Sequence, residues 1–189
     1  MFGWWRKSKR SKFSQALPLD AALFDGEGEP LYNAVAAYRS ASDKAFTTSQ
    51  NAMPEVQALE DRYTLRLPED FRSYLLYAAP ATLWMDDIGT QWWAARDIKS
   101  IADECPEGSP GKLNADIERE SAQYLVFADY LMWCYAWAIC CSEGHNRGKI
   151  ALIGGAPDMF VADSFRDFLK LEMCDALEIH GGPNRKRTA

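Results

Sequence analysis

The chain has 189 residues, 48% of them apolar and 25% charged, with 21 Lys and Arg against 27 Asp and Glu. Nearly half apolar excludes a disordered chain or a long coiled coil and calls for a packed core, which a chain of this size forms without a metal or a disulfide by burying roughly 70% of its unfolded surface. No uncharged run is longer than Tyr130 to Ser142, which falls short of the about 20 apolar residues that a membrane-spanning helix requires.

The two ends are basic. Arg6, Lys7, Lys9, Arg10 and Lys12 stand in the first twelve positions without an acid, and Arg185, Lys186 and Arg187 lie in the last five. Between them, Phe13 to Asn184 carries 13 basic and 27 acidic residues, a net of −14. An acidic body repels nucleic acid and attracts basic partners. The start, with Trp4 and Trp5, reads as a solubilising tail; contact with an anionic membrane is the alternative, but no amphipathic helix follows to anchor it. Residues 1–30 form an irregular basic lead-in, 31–180 a single domain (31–53 an added helix and linker), and 181–189 a basic tail.

Leu31 to Phe46 places Leu31, Val35, Tyr38 and Ala45 near one helical stripe. Pro54 opens a second helix with Val56, Leu59 and Tyr63 on one side. Leu67-Pro68-Glu69-Asp70-Phe71 repeats the device, with acids in the first turn and Phe71, Tyr74, Leu75 and Ala78 as the buried face. Ala79-Pro80 ends it. Leu83 to Ile88 and Gln91 to Trp93 read as short strands, Ala94 to Asp103 as a short helix using Ile98 and Ile101, and Leu113 to Glu120 as a polar helix. Tyr124 to Ala128 is a strand. Met132 to Cys141 is another, with a small face (Cys134, Ala136, Ala138, Cys140) and a large one (Trp133, Tyr135, Trp137, Ile139); having no charge, it belongs at the centre of a sheet. Lys149 to Ile153 and Met159 to Ala162 follow as strands. Asp163 or Ser164 then caps a closing helix whose stripe is Phe165, Phe168, Leu169, Met173 and Leu177. Helices, a meander of strands and a final helix predict an α+β domain with a mostly antiparallel sheet flanked by helices.

The search for chemistry returns little. The five cysteines (Cys105, Cys134, Cys140, Cys141, Cys174) form no C-x-x-C pair, which removes the usual zinc and redox spacings. With no export segment they read as buried thiols of a cytoplasmic protein. His145 sits in a Gly-rich turn and His180 at a helix end, neither with a partner at ligand spacing. Gly154-Gly155 lacks the Lys and Ser/Thr of a phosphate loop. Asp116 and Glu120 read as a solvated helix face. Neither catalysis, a cofactor nor a metal is expected. What stands out is a band of aromatics beside acids: Trp84, Asp86, Asp87, Trp92 and Trp93, with Asp129 after the Tyr124–Ala128 strand. Two readings stand for each tryptophan, core packing or a binding hot spot, and two for Asp129, a recognition charge or a turn residue.

The order of these motifs resembles the SUKH superfamily (SMI/KNR-type domains). The resemblance runs from Leu59-Glu60 and Leu67-Pro68-Glu69-Asp70-Phe71 with Tyr74-Leu75, through Trp92, Asp97-Ile98, Tyr124 to Asp129 and Gly148-Lys149-Ile150, to Val161-Ala162-Asp163-Ser164-Phe165 and Phe168-Leu169. It covers about Val56 to Leu177, and the family's frequent Asn-Gly after the second helix is replaced by Ala79-Pro80. It implies a sheet flanked by helices and a non-catalytic immunity protein that binds and neutralises a toxin, often a nuclease, in bacterial competition. The alternative it implies is a regulatory scaffold like the fungal cell-wall synthesis regulators. On the first reading a basic toxin domain meets Trp84, Asp86, Asp87, Trp92 and Asp129, with the acids steering and Trp84 or Trp92 as anchor.

Overall fold

The computed structural model describes residues 21–111, 114–155, 158–174 and 176–181. The basic lead-in as far as residue 20 and nearly all of the basic tail lie outside these. Three helices come first: α1 (Gly28–Ser42), α2 (Ala52–Tyr63) and α3 (Glu69–Tyr77). They are followed by β1 (Trp84–Met85), β2 (Thr90–Trp92), β3 (Lys99–Ser100), α4 (Ile101–Glu104) and α5 (Ala115–Arg119). The chain closes with β4 (Tyr124–Tyr130), β5 (Tyr135–Cys140), β6 (Ile150–Ile153), β7 (Met159–Ala162) and α6 (Phe165–Met173). The strands form one antiparallel sheet in the order β1-β2-β4-β5-β6-β7, with β3 also pairing β4. The fold is α+β.

β5 lies inside the sheet between β4 and β6, where an uncharged strand belongs. Its Trp137 is fully buried and pairs with Ala128 on one side and Leu152 on the other. Helix α3 begins after Pro68, with Glu69 and Asp70 in its first turn, where the helix dipole favours acids. Its Phe71 and Tyr74 meet α6 and the sheet in a continuous aromatic core. Tyr74 and Phe165 lie 4.5 Å apart, Phe127 and Phe168 5.3 Å, and Trp137 and Phe168 5.4 Å. α1 joins the same core through Leu31, Tyr32 and Val35. Ser164 caps α6, its Oγ accepting from the backbone N–H of Asp167 at 3.0 Å. Among the described residues no helix is long and apolar enough to cross a membrane.

Several boundaries differ from the sequence expectation: α2 starts at Ala52, two residues before Pro54, the strand expected over 83–88 is only Trp84–Met85, and β4 runs on to Tyr130. α1 starts at Gly28 and ends at Ser42. The single helix expected over 94–103 is divided into a 3-10 turn, β3 and the four-residue α4. The length of β4 explains it: β2 covers Ala128 to Tyr130, leaving Leu125 and Val126 to recruit Lys99 and Ser100. β5 begins at Tyr135, because residues 131–134 form a turn. α6 stops at Met173; Leu177 is exposed, and Ile179 of a following 3-10 turn fills the core instead.

All five cysteines are free, with Cys134 and Cys174 exposed and Cys140 and Cys141 buried. Burial pushes the Cys141 thiol far above its ordinary range, and the thiolate is the reactive form. A thiol reagent at mildly alkaline pH is expected to label Cys134 and Cys174 in the native protein, and Cys140 and Cys141 only after denaturation. Native labelling of Cys141 at the rate of Cys134 contradicts this.

Candidate partner-binding face

The β1–β2 turn is built around Asp86. Its Oδ1 accepts from the backbone N–H of Ile88 at 3.1 Å and of Thr90 at 2.9 Å. Its Oδ2 accepts from the Trp92 indole N–H at 3.0 Å. Gly89 closes the turn at φ +94°, and a Cβ there would stand 2.7 Å from Leu131 Cδ2. The positive φ favours glycine, while the exposed Leu131 side chain could turn aside from a Cβ. The Gly89 carbonyl accepts from the Leu131 N–H at 3.0 Å, so the β1–β2 turn is locked to the β4–β5 turn.

That second turn is strained. Leu131, Met132 and Trp133 have φ of 45°, 55° and 70°, a left-handed run that costs about 1–2 kcal/mol per non-glycine residue. Asp129 Oδ1 holds it by accepting from the Trp133 N–H at 2.9 Å. The Trp133 indole donates to Glu104 Oε1 at 3.0 Å. The result is Met132 at 83% exposure. Among the described residues seven large hydrophobic side chains are exposed, and five of them, Leu83, Met85, Ile88, Leu131 and Met132, lie on or beside these two turns. Asp87 is exposed among them.

Met132→Gly separates strain from presentation. It relieves about 1–2 kcal/mol of left-handed strain and adds about 0.5–1 kcal/mol of backbone entropy to the unfolded chain. A net gain of up to about 1.5 kcal/mol is expected from urea unfolding. A loss of stability contradicts the strained turn.

Three of the five residues singled out in the sequence come together here. Trp84, Asp86 and Asp87 line one cavity with Arg39, Asp43 and Glu172. Trp84 is half-buried, packed edge-on to Phe46 at 4.8 Å, and its indole donates to Asp43 Oδ2 at 2.7 Å. That bond, with one from the Ala45 N–H, holds the Asp43 carboxyl below the usual carboxylate range.

The other two are not surface residues. Trp92 is fully buried, with the Arg39 guanidinium 4.0 Å above its ring and Tyr74 at 6.0 Å, so it cannot be an anchor. Asp129 is 1% exposed and cannot steer a partner. Its Oδ2 instead accepts from the Trp93 indole at 2.8 Å and from the Gln91 amide at 3.2 Å. Asp86 is also occupied as a turn scaffold, which leaves Asp87 as the accessible acid of the three aspartates. Sequence reading missed Leu131, Met132 and Arg39. Nothing in Leu-Met-Trp signals a left-handed turn, whereas Arg39 continues the apolar stripe Leu31–Val35 at i+4 spacing, a legible sign of burial.

A second and larger cleft, of about 1210 Å³, is lined by Glu60, Arg66, Arg72, Cys141 and Arg147. Two of its polar groups, Arg147 and Glu60, already serve the fold. Arg147 donates to the carbonyls of Cys141 and Arg66 at 2.8 and 2.9 Å, and Glu60 accepts from the Leu67 N–H at 3.1 Å. Among the described residues no three His, Cys, Asp or Glu side chains are gathered to hold a metal. His180 Nδ1 lies 2.7 Å from the Tyr135 hydroxyl, a contact that docks the C-terminal turn.

No protein-family model matches the chain. A search of curated proteins returns no match either.

Proposed function

We propose that this protein is a non-catalytic immunity protein of the SUKH type, which binds and neutralises a basic toxin domain in the cytoplasm. The observation that carries the reading is the pair of interlocked turns. Five of the seven exposed large hydrophobics of the described residues gather on or beside them, with Asp87 between. Strained non-glycine backbone persists where the surroundings over-determine it, and it clusters at functional segments. Apolar anchors beside acids suit a partner that is steered in by charge and held by burial. The net of −14 between the basic ends supplies the long-range attraction. The α+β architecture agrees with the family resemblance carried by the Leu67–Phe71 and Tyr124–Asp129 motifs.

The test is co-expression with the C-terminal toxin domain encoded beside its gene. The reading expects the cells to survive, with a one-to-one complex on gel filtration. Death at the rate of unprotected cells, with no complex, overturns it. Capture of several unrelated partners and no toxin favours the scaffold.

A further inference from the structure

The two ends of the sheet differ. β7 forms one; its four residues are half-buried, and α6 and the C-terminal 3-10 turn lie against it. β1 forms the other, and it pairs with β2 alone among the described residues. The ladder fixes which backbone groups β1 turns outward. The Asp86 N–H donates to the Thr90 carbonyl at 3.0 Å, so these two form a hydrogen-bonded pair. Bonded and non-bonded pairs alternate along an antiparallel ladder, which makes Met85 opposite Gln91 a non-bonded pair. β4 agrees. The Gly89 carbonyl and the Trp93 N–H are bonded to Leu131 and Phe127, each at 3.0 Å, so Gln91 midway between them turns its groups to β4. The Met85 N–H and C=O therefore point away from the sheet, with no partner among the described residues.

Just upstream the chain already has an outer neighbour. The Ala81 N–H donates to the Thr47 carbonyl at 2.7 Å, and Pro80 and Thr48 form an antiparallel bridge. That pairing stops short of β1. Trp84 packs inward on Phe46, which leaves Leu83 at 51% and Met85 at 44% exposure. A free edge is a template for another chain, and proteins commonly blunt it with charge or proline; Leu83 and Met85 supply neither. The edge is continuous with the exposed Ile88, Leu131 and Met132 of the interlocked turns. We infer that β1 receives an extended segment of the partner as an added antiparallel strand, bonded to the Met85 N–H and C=O. Residues two apart share a face. The segment thus sets an apolar residue opposite Met85 and, two positions earlier, a lysine or arginine beside the exposed Asp87, as cross-strand pairing and the acidic body favour. This deepens the toxin-binding reading and rests on it for the source of the segment.

The test needs no toxin. A capped peptide, Lys-Thr-Val-Thr-Val-Thr, is titrated into ¹⁵N-labelled protein beside two controls: the same peptide N-methylated at both valines, and one with Glu in place of Lys. The readout is the backbone amides of Leu83, Met85 and Asp87. The first peptide is expected to shift them saturably in the millimolar range and to slow hydrogen exchange at Met85. N-methylation keeps every side chain but removes the N–H donors that face β1, and is expected to weaken binding at least about tenfold. The Glu peptide is expected to bind several-fold more weakly. Met85→Pro removes the outward N–H at an edge, where proline is tolerated, and is expected to abolish the shifts at Leu83 and Asp87, whereas Met85→Val keeps them. Should the proline variant not fold, the N-methylated peptide carries the test. Equal binding of either control, shifts centred on β7, or no saturable shift overturns the added strand. A dimer that dissociates on dilution, with Met85 exchange rising as it does, gives the edge to a second copy instead. A toxin bound as tightly by Met85→Pro as by the original protein discards the edge and keeps the toxin. Peptide binding without toxin protection discards the toxin and keeps the edge.

Discussion

Trp137→Ala is expected to lower the unfolding free energy by about 3–5 kcal/mol, the cost of emptying a large aromatic site in a core. Trp137 is fully buried on a strand paired on both sides. Its ring meets Phe168 at 5.4 Å and His180 at 5.7 Å. Its indole N–H donates to the Ile179 carbonyl at 2.7 Å, so the substitution also frees the C-terminal 3-10 turn from the sheet. Two effects therefore coincide: the cavity, and a carbonyl left without its donor. Urea unfolding measures the sum. A loss below about 1 kcal/mol, the scale of an ordinary substitution, would mean that β5 is not the centre of the core.

Asp129→Ala is expected to cost about 2–4 kcal/mol, because hydrogen bonds to a charged group are worth roughly 1.5–3 kcal/mol each and are not additive. The carboxylate accepts from the Trp93 indole, the Gln91 amide and the Trp133 N–H. Removing it strands the indole donor of Trp93, which is 6% exposed, and unpins the left-handed turn. Asp129→Asn retains one carbonyl oxygen and is expected to lose less. Had Asp129 been a steering charge at the surface, both variants would leave stability within about 0.5 kcal/mol of the original. The urea midpoints separate the two accounts.

The fold was legible where burial imposes a period. Phe71, Tyr74 and Leu75 at helical spacing, the Pro68 start of α3, and the alternation of Ala136, Trp137, Ala138 and Ile139 all reappear as read. The Ser164 cap and the central place of β5 follow from the same rules. Illegible were features set by neighbours distant in sequence. Lys99 and Ser100 became a strand because β4 extends beyond β2, a length that no local pattern reveals. Of the two readings of Asp129, its bond to the Trp133 N–H supports the turn residue; that it also takes the Trp93 indole and the Gln91 amide was hidden, because those donors lie on and just after β2. At the site, local pattern found Trp84, Asp86 and Asp87 but misread Trp92, since a tryptophan beside acids looks alike whether its ring faces solvent or Arg39. The Leu131–Trp133 turn violates propensity outright, and the Gly89, Asp129 and Glu104 contacts, all from outside the turn, explain how it is held.

The most direct measurement of the central claim is the dissociation constant for the toxin domain, compared between the original protein, Leu131→Ser with Met132→Ser, and Met53→Ser. Met53 is exposed on α2, outside the two turns, and controls for loss of apolar surface in general. The double variant is expected to bind at least about 30-fold more weakly, the roughly 2 kcal/mol that defines a hot spot, with Met53→Ser unchanged. A folded double variant that binds as tightly as the original protein would contradict the claim that the interlocked turns are the binding face.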